Sequence, residues 1–541
     1  MVFSPSPSPL SSRAPSPAPS FSDEKDGAAI YEVGTQPMEA YQTTLAPWRA
    51  AVRSRIVARV AEESKTIARL QSVIRTPWLD SYFVYTSSLG THTFFMTMLP
   101  GLVFFGYADI GLELTIILAL GVYLASFFKD LFCSPRPFAP PVTRLTIGTH
   151  HLEYGFPSTH STNSVSIALI FFAKVYLAAH AEEPSISMQT FWMLLAGLLF
   201  YTFSIVFGRI YTAMHSFTDC VMGVSLGTFI WWAWSSFPGI PLGGIMLARG
   251  LGVGKVVDDW VTSGGLEVPV ILSSILLLAV NQHPQPADDC PCFEDAIAFG
   301  SVMLGLFIGK WGVSYWGIDQ YHRAAVVQPG SGWIYDNATE EWMVVERGVH
   351  DITLWWSVAV LKMVIGISVI IIWRILAKSL LHITLPPMYR FLAKAFELPN
   401  RRFYTPATDY KNVPSEFANG NGLRAIPSVI DLSGMLEQEN GGGDVGYVSG
   451  VGYNHAGKRM GQTLKPRNEK VRFASGLSKS YTPQEEEKDQ RDDEKEEEVK
   501  HYDADVLTKV VVYAGIALLA TQVLPVMFDM VGLGVRSWIE V

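Results

Sequence analysis

The sequence predicts an all-α protein, a polytopic membrane bundle of about eight to nine helical spans, and three observations indicate this fold class. Of the 541 residues, 49% are hydrophobic and 17% are charged, whereas a soluble protein carries about a quarter charged residues. The mean hydropathy is +0.22. The apolar residues are also clustered in runs of about 20, the length that a helix needs to cross a bilayer.

Nine runs have this length, and their boundaries leave eight or ten spans as alternatives. The Gly- and Pro-rich stretch 237–253 is predicted to be a loop or a re-entrant segment. The predicted spans cover residues 83–106, 110–128, 160–179, 190–208, 216–236, 266–282, 295–316, 352–376 and 507–531.

Two segments precede the spans. Residues 1–45 are rich in Ser and Pro and lack a continuous apolar run, so they are predicted to be disordered and not a cleavable signal peptide. Residues 46–76 have the pattern of a basic amphipathic helix. Such a helix lies either on anionic lipid or against the edge of the domain, and the sequence favours both equally.

The rest of the chain divides into four segments by composition. The insert before the last span starts with a possible helical continuation over 377–400, then becomes Gly-, Asn- and Ser-rich, and ends in an acidic run. It is predicted to be mostly disordered. The segments are a core with the polar motifs at 77–236, additional spans at 237–376, the insert at 377–506 and the C-terminal span at 507–541.

Charge and cysteine content exclude two classes of protein. The net charge of −9 arises largely from the acidic run, and no basic nucleic-acid-binding motif is present, so no nucleic-acid partner is expected. Four cysteines form no disulfide framework. The Cys290-Pro-Cys292 pair is interpreted as an incidental loop pair, with a metal or redox pair as the alternative.

Three short polar stretches stand at span ends: KDLFCSPRPF after the second span, PSTH before the third, and GRIYTAMHSFTD between the fourth and fifth. Helical hairpins place all of these ends on one membrane face. Each residue taken alone is typical of an anchor or a structural polar group. Together they predict a site for a tetrahedral anion, built from Lys129, Arg136, Ser158, His160, Arg209, His215 and Asp219.

Each residue type suits phosphate chemistry. Lysine and arginine neutralise phosphate, and arginine offers a planar fork. Ser158 is predicted to cap a helix whose first N–H groups face the anion. Asp219 follows His215 by four residues, so the two share a face if this segment is helical. A carboxylate on one ring nitrogen then leaves the other as a nucleophile. His160 remains as a general acid for the departing oxygen.

These stretches resemble the signature of the type 2 phosphatidic acid phosphatase superfamily over residues 83–236. The resemblance implies a six-helix-type core, a phosphohistidine intermediate and no metal or other cofactor. It also implies one role for each residue: phosphate binding by Lys129, Arg136, Arg209, Ser158 and the amides of Thr159 and His160, acid catalysis by His160, nucleophilic attack by His215 and orientation of that ring by Asp219.

Two positions depart from the general pattern. Thr159 stands where Gly is usual, which predicts an ordinary helix start, and Gly208 replaces a Ser hydroxyl. The form YGFPSTHSTNS is similar to that of sphingoid-base-1-phosphate phosphatases, including fungal ones. This resemblance implies a phosphorylated sphingoid base as substrate.

Three alternatives stay open: a phosphatase for phosphatidate or a polyprenyl diphosphate, a transporter with an Arg/His ion path, and an inactive scaffold. The side of the membrane is also contested. The Arg-rich stretch 49–75 places the N-terminus, and with it the site, in the cytosol. The resemblance implies a site facing the lumen of the endoplasmic reticulum. The sequon at Asn337 is predicted to lie opposite the site.

Overall fold

The computed structural model describes most of the chain outside the N-terminal segment and the long insert, and α-helix dominates the described part. The described residues are 32–87, 92–145, 153–242, 245–288, 290–318, 328–336, 341–392 and 504–534, with the pairs 400–401, 447–448 and 500–501.

The helices follow the apolar runs of the sequence. A five-residue π-helical turn at Leu519–Val523 joins the last two into one rod. The helices of the described residues are α1 Met38–Thr44, α2 Pro47–Ile74, α3 Pro77–Ser87, α4 His92–Phe104, α5 Ala108–Phe132, α6 Thr159–His180, α7 Met188–Tyr211, α8 Phe217–Trp234, α9 Val253–Ser263, α10 Glu267–Asn281, α11 Cys292–Tyr315, α12 Val349–Leu392, α13 Ala504–Leu518 and α14 Leu524–Met530.

The strands are short and form two-stranded pairs. The hairpin of β2 and β3 lies within 237–253, which the sequence predicts as a loop or re-entrant segment. The pairs are β1 Arg144–Leu145 with β7 Tyr447–Val448, β2 Ile240–Leu242 with β3 Ile245–Leu247, β4 Trp333–Asp336 with β5 Glu341–Val344, and β6 Asn400–Arg401 with β8 Lys500–His501.

Six helices of the described part are long and apolar enough to cross a membrane, which confirms the all-α, multi-pass class. They are α5, α6, α7, α11, α12 and the rod of α13 and α14. Of the other predicted spans, 216–236 corresponds to α8, and 266–282 corresponds to the shorter apolar helix α10. Helix α12 continues past the predicted span to Leu392, so the insert begins as part of this helix.

The prediction of one span over 83–106 is wrong. The structure has two shorter helices there, α3 and α4, and α4 has only 13 residues. The aromatic face of α3 accounts for the position of this helix, because it packs on α7. The ring of Phe83 lies 5.6 Å from that of Phe207 between centroids, and Tyr82 bonds the Ser204 hydroxyl at 2.9 Å.

Helices α5, α6 and α8 form the core that positions the site. Leu118, Ile170 and Ile230 are among the buried residues of their shared apolar cluster. Helix α8 approaches α6 closely because it presents glycines there. A Cβ atom at Gly223 or Gly227 would collide with backbone carbonyl oxygens of α6 and its cap. This close approach holds the start of α6 beside the start of α8.

Helix α2 packs on the end of the bundle where α5 and α7 finish and α8 begins. Arg49 donates to the carbonyls of Asp130 and Leu131, each at 2.8 Å, and Arg53 donates to the Cys133 carbonyl at 3.0 Å. In the C-terminal half of α2, Glu63 accepts hydrogen bonds from the amide and hydroxyl of Thr218. Of the two interpretations of 46–76, the structure shows the helix packed against the domain.

Two further expectations are wrong. In the segment predicted to be disordered, residues 1–31 lie outside the described residues, whereas residues 32–45 are ordered, because Tyr41 is buried and its hydroxyl donates to Asp288. Cys290 and Cys292 form a disulfide rather than an incidental pair. The intervening proline turn brings their Cα atoms to 5.4 Å, a separation that a disulfide can span.

Candidate active site

The three polar stretches meet at the end of the bundle that α2 covers. Two hydrogen bonds between backbone atoms tie them together. The amide of Gly155 donates to the carbonyl of Ser134 at 2.8 Å, and the amide of Ser158 donates to the carbonyl of Asp219 at 3.1 Å. Gly155 permits the first approach, because a Cβ there would lie 2.6 Å from the Pro135 carbonyl oxygen. The loop before α6 is therefore fixed to both neighbouring stretches.

Two predicted cations share one carboxylate. Lys129, in the last turn of α5, places Nζ 2.6 Å from the Glu153 carboxylate, and an Arg136 guanidinium nitrogen lies 3.6 Å from the same oxygen. Arg136 also donates to the Glu153 carbonyl at 3.0 Å. Both cations are buried, and Glu153 is the most exposed member of the trio. A carboxylate therefore sits where the sequence predicts a bound phosphate.

The third predicted cation, Arg209, is buried at the end of α7. Its Nε has no hydrogen-bond partner among the described residues. Its carbonyl accepts from the amide of His215 at 3.2 Å, which anchors the loop that carries this histidine. A buried guanidinium with an unsatisfied donor fits an anionic ligand, since leaving such a donor unpaired costs about 1–3 kcal/mol or more.

Both ring nitrogens of His215 are engaged. Nδ1 lies 2.8 Å from the carbonyl oxygen of Gly155, and because a carbonyl only accepts, Nδ1 must carry the proton. Nε2 lies 3.2 Å from Nη1 of Arg136, which only donates, so Nε2 holds its lone pair. Burial first, and then the charges of Arg136, Arg209 and Lys129, lower the pKa of His215 well below its ordinary value. The ring is thus neutral, and its Nε2 lone pair accepts a hydrogen bond from Arg136.

Asp219 lies near this ring but does not set its tautomer. Its carboxylate is 3.8 Å from Nδ1 of His215, beyond hydrogen-bonding distance. The same carboxylate accepts from the Ser216 amide at 2.8 Å in a capping box at the start of α8. His215 and Asp219 do not share a helical face, because His215 precedes the cap of α8 rather than belonging to the helix.

The start of α6 agrees with its prediction. Ser158 is the N-cap residue, and its hydroxyl accepts from the Ser161 amide at 3.3 Å, which confirms the predicted cap. The helix begins at Thr159 without a positive φ angle, as the replacement of Gly predicted. His160 is the second residue of α6 and is half-buried. The amides of Thr159 and His160 belong to the helix end that favours anions.

Sequence reasoning missed two groups, Glu153 and the Gly155 carbonyl. Glu153 immediately precedes the YGFPSTH stretch, and an acidic residue beside a predicted anion site is a signal that could have been noticed. The carbonyl of Gly155 carries no side-chain signal. The second departure from the pattern, Gly208, has a packing reason, since a Cβ there would lie 3.0 Å from the Phe83 ring.

One group in the described part of the chain has the composition of a metal site. It comprises Asp130, Cys290 and Cys292, whose ligand atoms lie within 4.8 Å of one another. The two sulfurs are joined in the disulfide and so are not thiolates, the form of cysteine that binds metals. The candidate anion site itself contains cations, histidines and two carboxylates.

The three polar stretches lie in the part of this chain that is similar to known proteins. The pattern of the PAP2 superfamily matches residues 110–239. A dihydrosphingosine 1-phosphate phosphatase of Schizosaccharomyces pombe is 32% identical over 65% of this chain and 74% of its own length. One of Saccharomyces cerevisiae is 31% identical over 52% of this chain and 65% of its own length.

Among solved structures, a PAP2-type phosphatidylglycerolphosphate phosphatase from Bacillus subtilis is similar at 21% identity. The match covers 35% of this chain and 92% of that one, with a TM-score of 0.27. The superfamily match spans the helices α5 to α8 and all three polar stretches. Together with the extended similarity to the S. pombe protein, it shows that this chain belongs to the PAP2 superfamily.

Proposed function

We propose that this protein is an integral membrane phosphatase that hydrolyses sphingoid base 1-phosphates to the free base and inorganic phosphate. The observation that supports the reaction most strongly is the state of His215. Its Nδ1 proton is committed to the Gly155 carbonyl, and its Nε2 lone pair lies among three buried cations. A neutral nucleophile in a cationic, buried pocket suits attack on a phosphate monoester.

In the first step, Lys129, Arg136, Arg209 and the first amides of α6 bind the phosphate oxygens. Arg136 then donates to phosphate rather than to Nε2 of His215, which frees the lone pair. Nε2 attacks phosphorus, the bond from phosphorus to the ester oxygen breaks, and its electron pair goes to that oxygen. His160, as imidazolium, protonates the leaving alkoxide.

In the second step, neutral His160 takes a proton from water. The resulting hydroxide attacks phosphorus, and the bond between Nε2 and phosphorus breaks. Phosphate leaves, and both histidines return to their starting states. No metal or other cofactor takes part in this scheme, since the cations and the helix start supply the positive charge that stabilises the transition state.

The proposal for the substrate rests on the relatives. Both fungal relatives are named for dihydrosphingosine 1-phosphate. A relative in Arabidopsis thaliana, 29% identical over half of this chain, is named a lipid phosphate phosphatase. Another lipid phosphate, such as phosphatidate or a polyprenyl diphosphate, is the second candidate substrate.

Phosphate release by the purified protein tests this function. We expect release from dihydrosphingosine 1-phosphate at a higher kcat/KM than from phosphatidate or a polyprenyl diphosphate. The variant His215→Ala, which lacks the nucleophile, serves as control and should release none. A protein that releases no phosphate from any of these lipids would contradict the proposal and favour a transporter or a scaffold.

We further propose that the protein resides in the endoplasmic reticulum with the site facing the lumen. The resemblance to sphingoid-base phosphatases supports this side. The sequon at Asn337 follows β4, and β4 follows α11, which starts beside the site and ends away from it. A glycan on Asn337 would put the opposite end in the lumen. Unmodified Asn337 in cells is the expected result, and a mobility shift on deglycosylation would contradict the proposed side.

A further inference from the structure

Glu153 is an acidic residue of the site to which the proposed mechanism gives no role. Its carboxylate lies 2.6 Å from Nζ of Lys129 and 3.6 Å from the guanidinium of Arg136. Both cations are proposed to hold phosphate, so the carboxylate and the phosphate compete for the same partners. A residue that served only to neutralise these cations would weaken substrate binding.

The backbone at Glu153 is fixed while its side chain lies at the edge of the site. The Glu153 carbonyl accepts from Nε of Arg136 at 3.0 Å, and two residues later the Gly155 amide donates to Ser134. The side chain is 17% exposed, against 4% for Lys129 and 3% for Arg136. A phosphate that displaces the carboxylate from the buried cations therefore leaves it at the entrance, beside the non-phosphate part of the substrate.

We propose that Glu153 is the specificity determinant that binds the ammonium group of a sphingoid base 1-phosphate. This inference rests on the function proposed above. In such a substrate, two carbon atoms separate the ammonium nitrogen from the ester oxygen of the phosphate. The ammonium thus lies next to the bound phosphate, where the displaced Glu153 carboxylate meets it in a charge-assisted hydrogen bond.

The same arrangement disfavours lipids without the amine. Phosphatidate carries an ester oxygen at the corresponding carbon, and an N-acylated sphingoid base phosphate carries a neutral amide. With either one, the displaced carboxylate moves away from two cations and meets no ammonium group on the substrate, so Glu153 opposes binding. One side chain therefore favours the cationic substrate and disfavours its competitors.

A pair of substrates that differ only at nitrogen tests this inference: dihydrosphingosine 1-phosphate and its N-acetylated analogue. The measurement is kcat/KM for wild type, Glu153→Gln, Glu153→Asp and the control Glu183→Gln, an exposed glutamate between α6 and α7. In Glu153→Gln, we expect the preference for the amine to fall by about 10- to 100-fold, the range for one hydrogen bond to a charged group. Glu153→Asp should retain part of the preference, and Glu183→Gln all of it.

Inhibition by inorganic phosphate provides a second, independent readout. Removing the competing carboxylate should make inorganic phosphate a stronger inhibitor of Glu153→Gln than of wild type. If Glu153 only supports Lys129, phosphate should inhibit this variant more weakly and both substrates should lose rate equally, which overturns the inference. An unchanged preference in an active Glu153→Gln also overturns it. Wild type that is inactive on dihydrosphingosine 1-phosphate would instead contradict the proposed function itself.

Discussion

At the scale of single residues, the ring of His215 is held by backbone rather than by the carboxylate that its spacing indicated. The Gly155 carbonyl takes the Nδ1 proton, while Asp219 lies 3.8 Å away and is engaged in the cap of α8. We propose that Asp219, with its carboxylate 3.8 Å from Nδ1, stabilises positive charge that develops on the His215 ring and fixes the loop before α8. Its loss should slow the reaction without destroying the tautomer.

Variants of the two histidines should differ in activity when the leaving group of the substrate is changed. The turnover rate of His160→Ala on a lipid phosphate should fall by about 10²–10⁴-fold, because an alkoxide needs a proton to leave. This variant should recover much of its rate on an aryl phosphate, because the aryloxide leaves without a proton. His215→Ala should recover no activity on either substrate, and Asp219→Asn should lie between the two variants. The measurement is turnover on both substrates, with acid-quench trapping of labelled enzyme. A phosphoenzyme in His215→Ala would refute the assigned nucleophile.

Arg136 and Arg209 should not tolerate lysine. Arg136 donates from Nε and Nη1 to two carbonyls and to the His215 ring, and one ammonium cannot reproduce this set of bonds. Arg209 is buried, and its Nε has no hydrogen-bond partner among the described residues. Arg136→Lys and Arg209→Lys should each lower kcat/KM by about 100-fold, the loss of one to two charged hydrogen bonds. Arg59→Lys, at a side chain 68% exposed, is the control. Near-normal activity of either site variant would identify an anchoring role only.

Sequence reasoning at this scale found the cations and both histidines because each is a costly polar group at a span end. It did not find their mutual arrangement. The Lys129–Glu153 pair joins residues 24 positions apart, and the bond from His215 to Gly155 spans 60 positions. Both depend on how α5, α6 and α8 pack, which residue spacing along the chain does not specify.

At the scale of elements, the contact between α6 and α8 is the joint that assembles the site. Helix α6 carries Ser158 and His160 at its start, and α8 begins two residues after His215. The two starts are adjacent because Gly223 and Gly227 allow close approach. Apolar runs reveal that both helices exist, but the same runs do not reveal which faces meet, and small residues are the only sequence signal for such a contact.

Alanine at Gly227 should therefore separate the two helices. An added Cβ would collide with the Thr162 carbonyl, a backbone atom that cannot move alone. Gly197→Ala in α7 is the matched control, because a Cβ there meets nothing within 4 Å. Both changes raise helix propensity by about 1 kcal/mol. We expect a lower thermal unfolding temperature and lower activity for Gly227→Ala alone; equal behaviour of the two variants would show that the contact can widen freely.

At the scale of the whole molecule, composition predicted the fold class but not the structure of the N-terminal segment or of the first predicted span. The apolar runs predicted the multi-pass bundle. The Ser- and Pro-rich composition of residues 1–45, taken as a whole, concealed the ordered part at residues 32–45. There, Tyr41 and Gln36 donate hydrogen bonds to Asp288, more than 240 positions away in the sequence. The first predicted span also failed because hydropathy does not distinguish lipid-facing aromatic residues from those of α3, which pack on another helix.

The intact protein should work without divalent metal. In the proposed mechanism, Lys129, Arg136 and Arg209 with the start of α6 supply the positive charge that a metal would otherwise provide. Phosphate release should persist after dialysis against EDTA and should not rise when magnesium or zinc is returned. Activity that is lost in chelator and restored by one of these ions would contradict the site proposed above.

The position of α2 makes the orientation of the enzyme measurable with chemical labels. Because Glu63 binds Thr218 at the start of α8, the neighbouring Glu62 faces the same aqueous compartment as the reaction, whereas Glu183 follows α6 at the far end of the bundle. The free cysteines of the described part, Cys133 and Cys220, are buried. In sealed microsomes, an impermeant maleimide should modify Glu183→Cys and spare Glu62→Cys if phosphate is released inward, and the reverse pattern would mean release toward the cytoplasm.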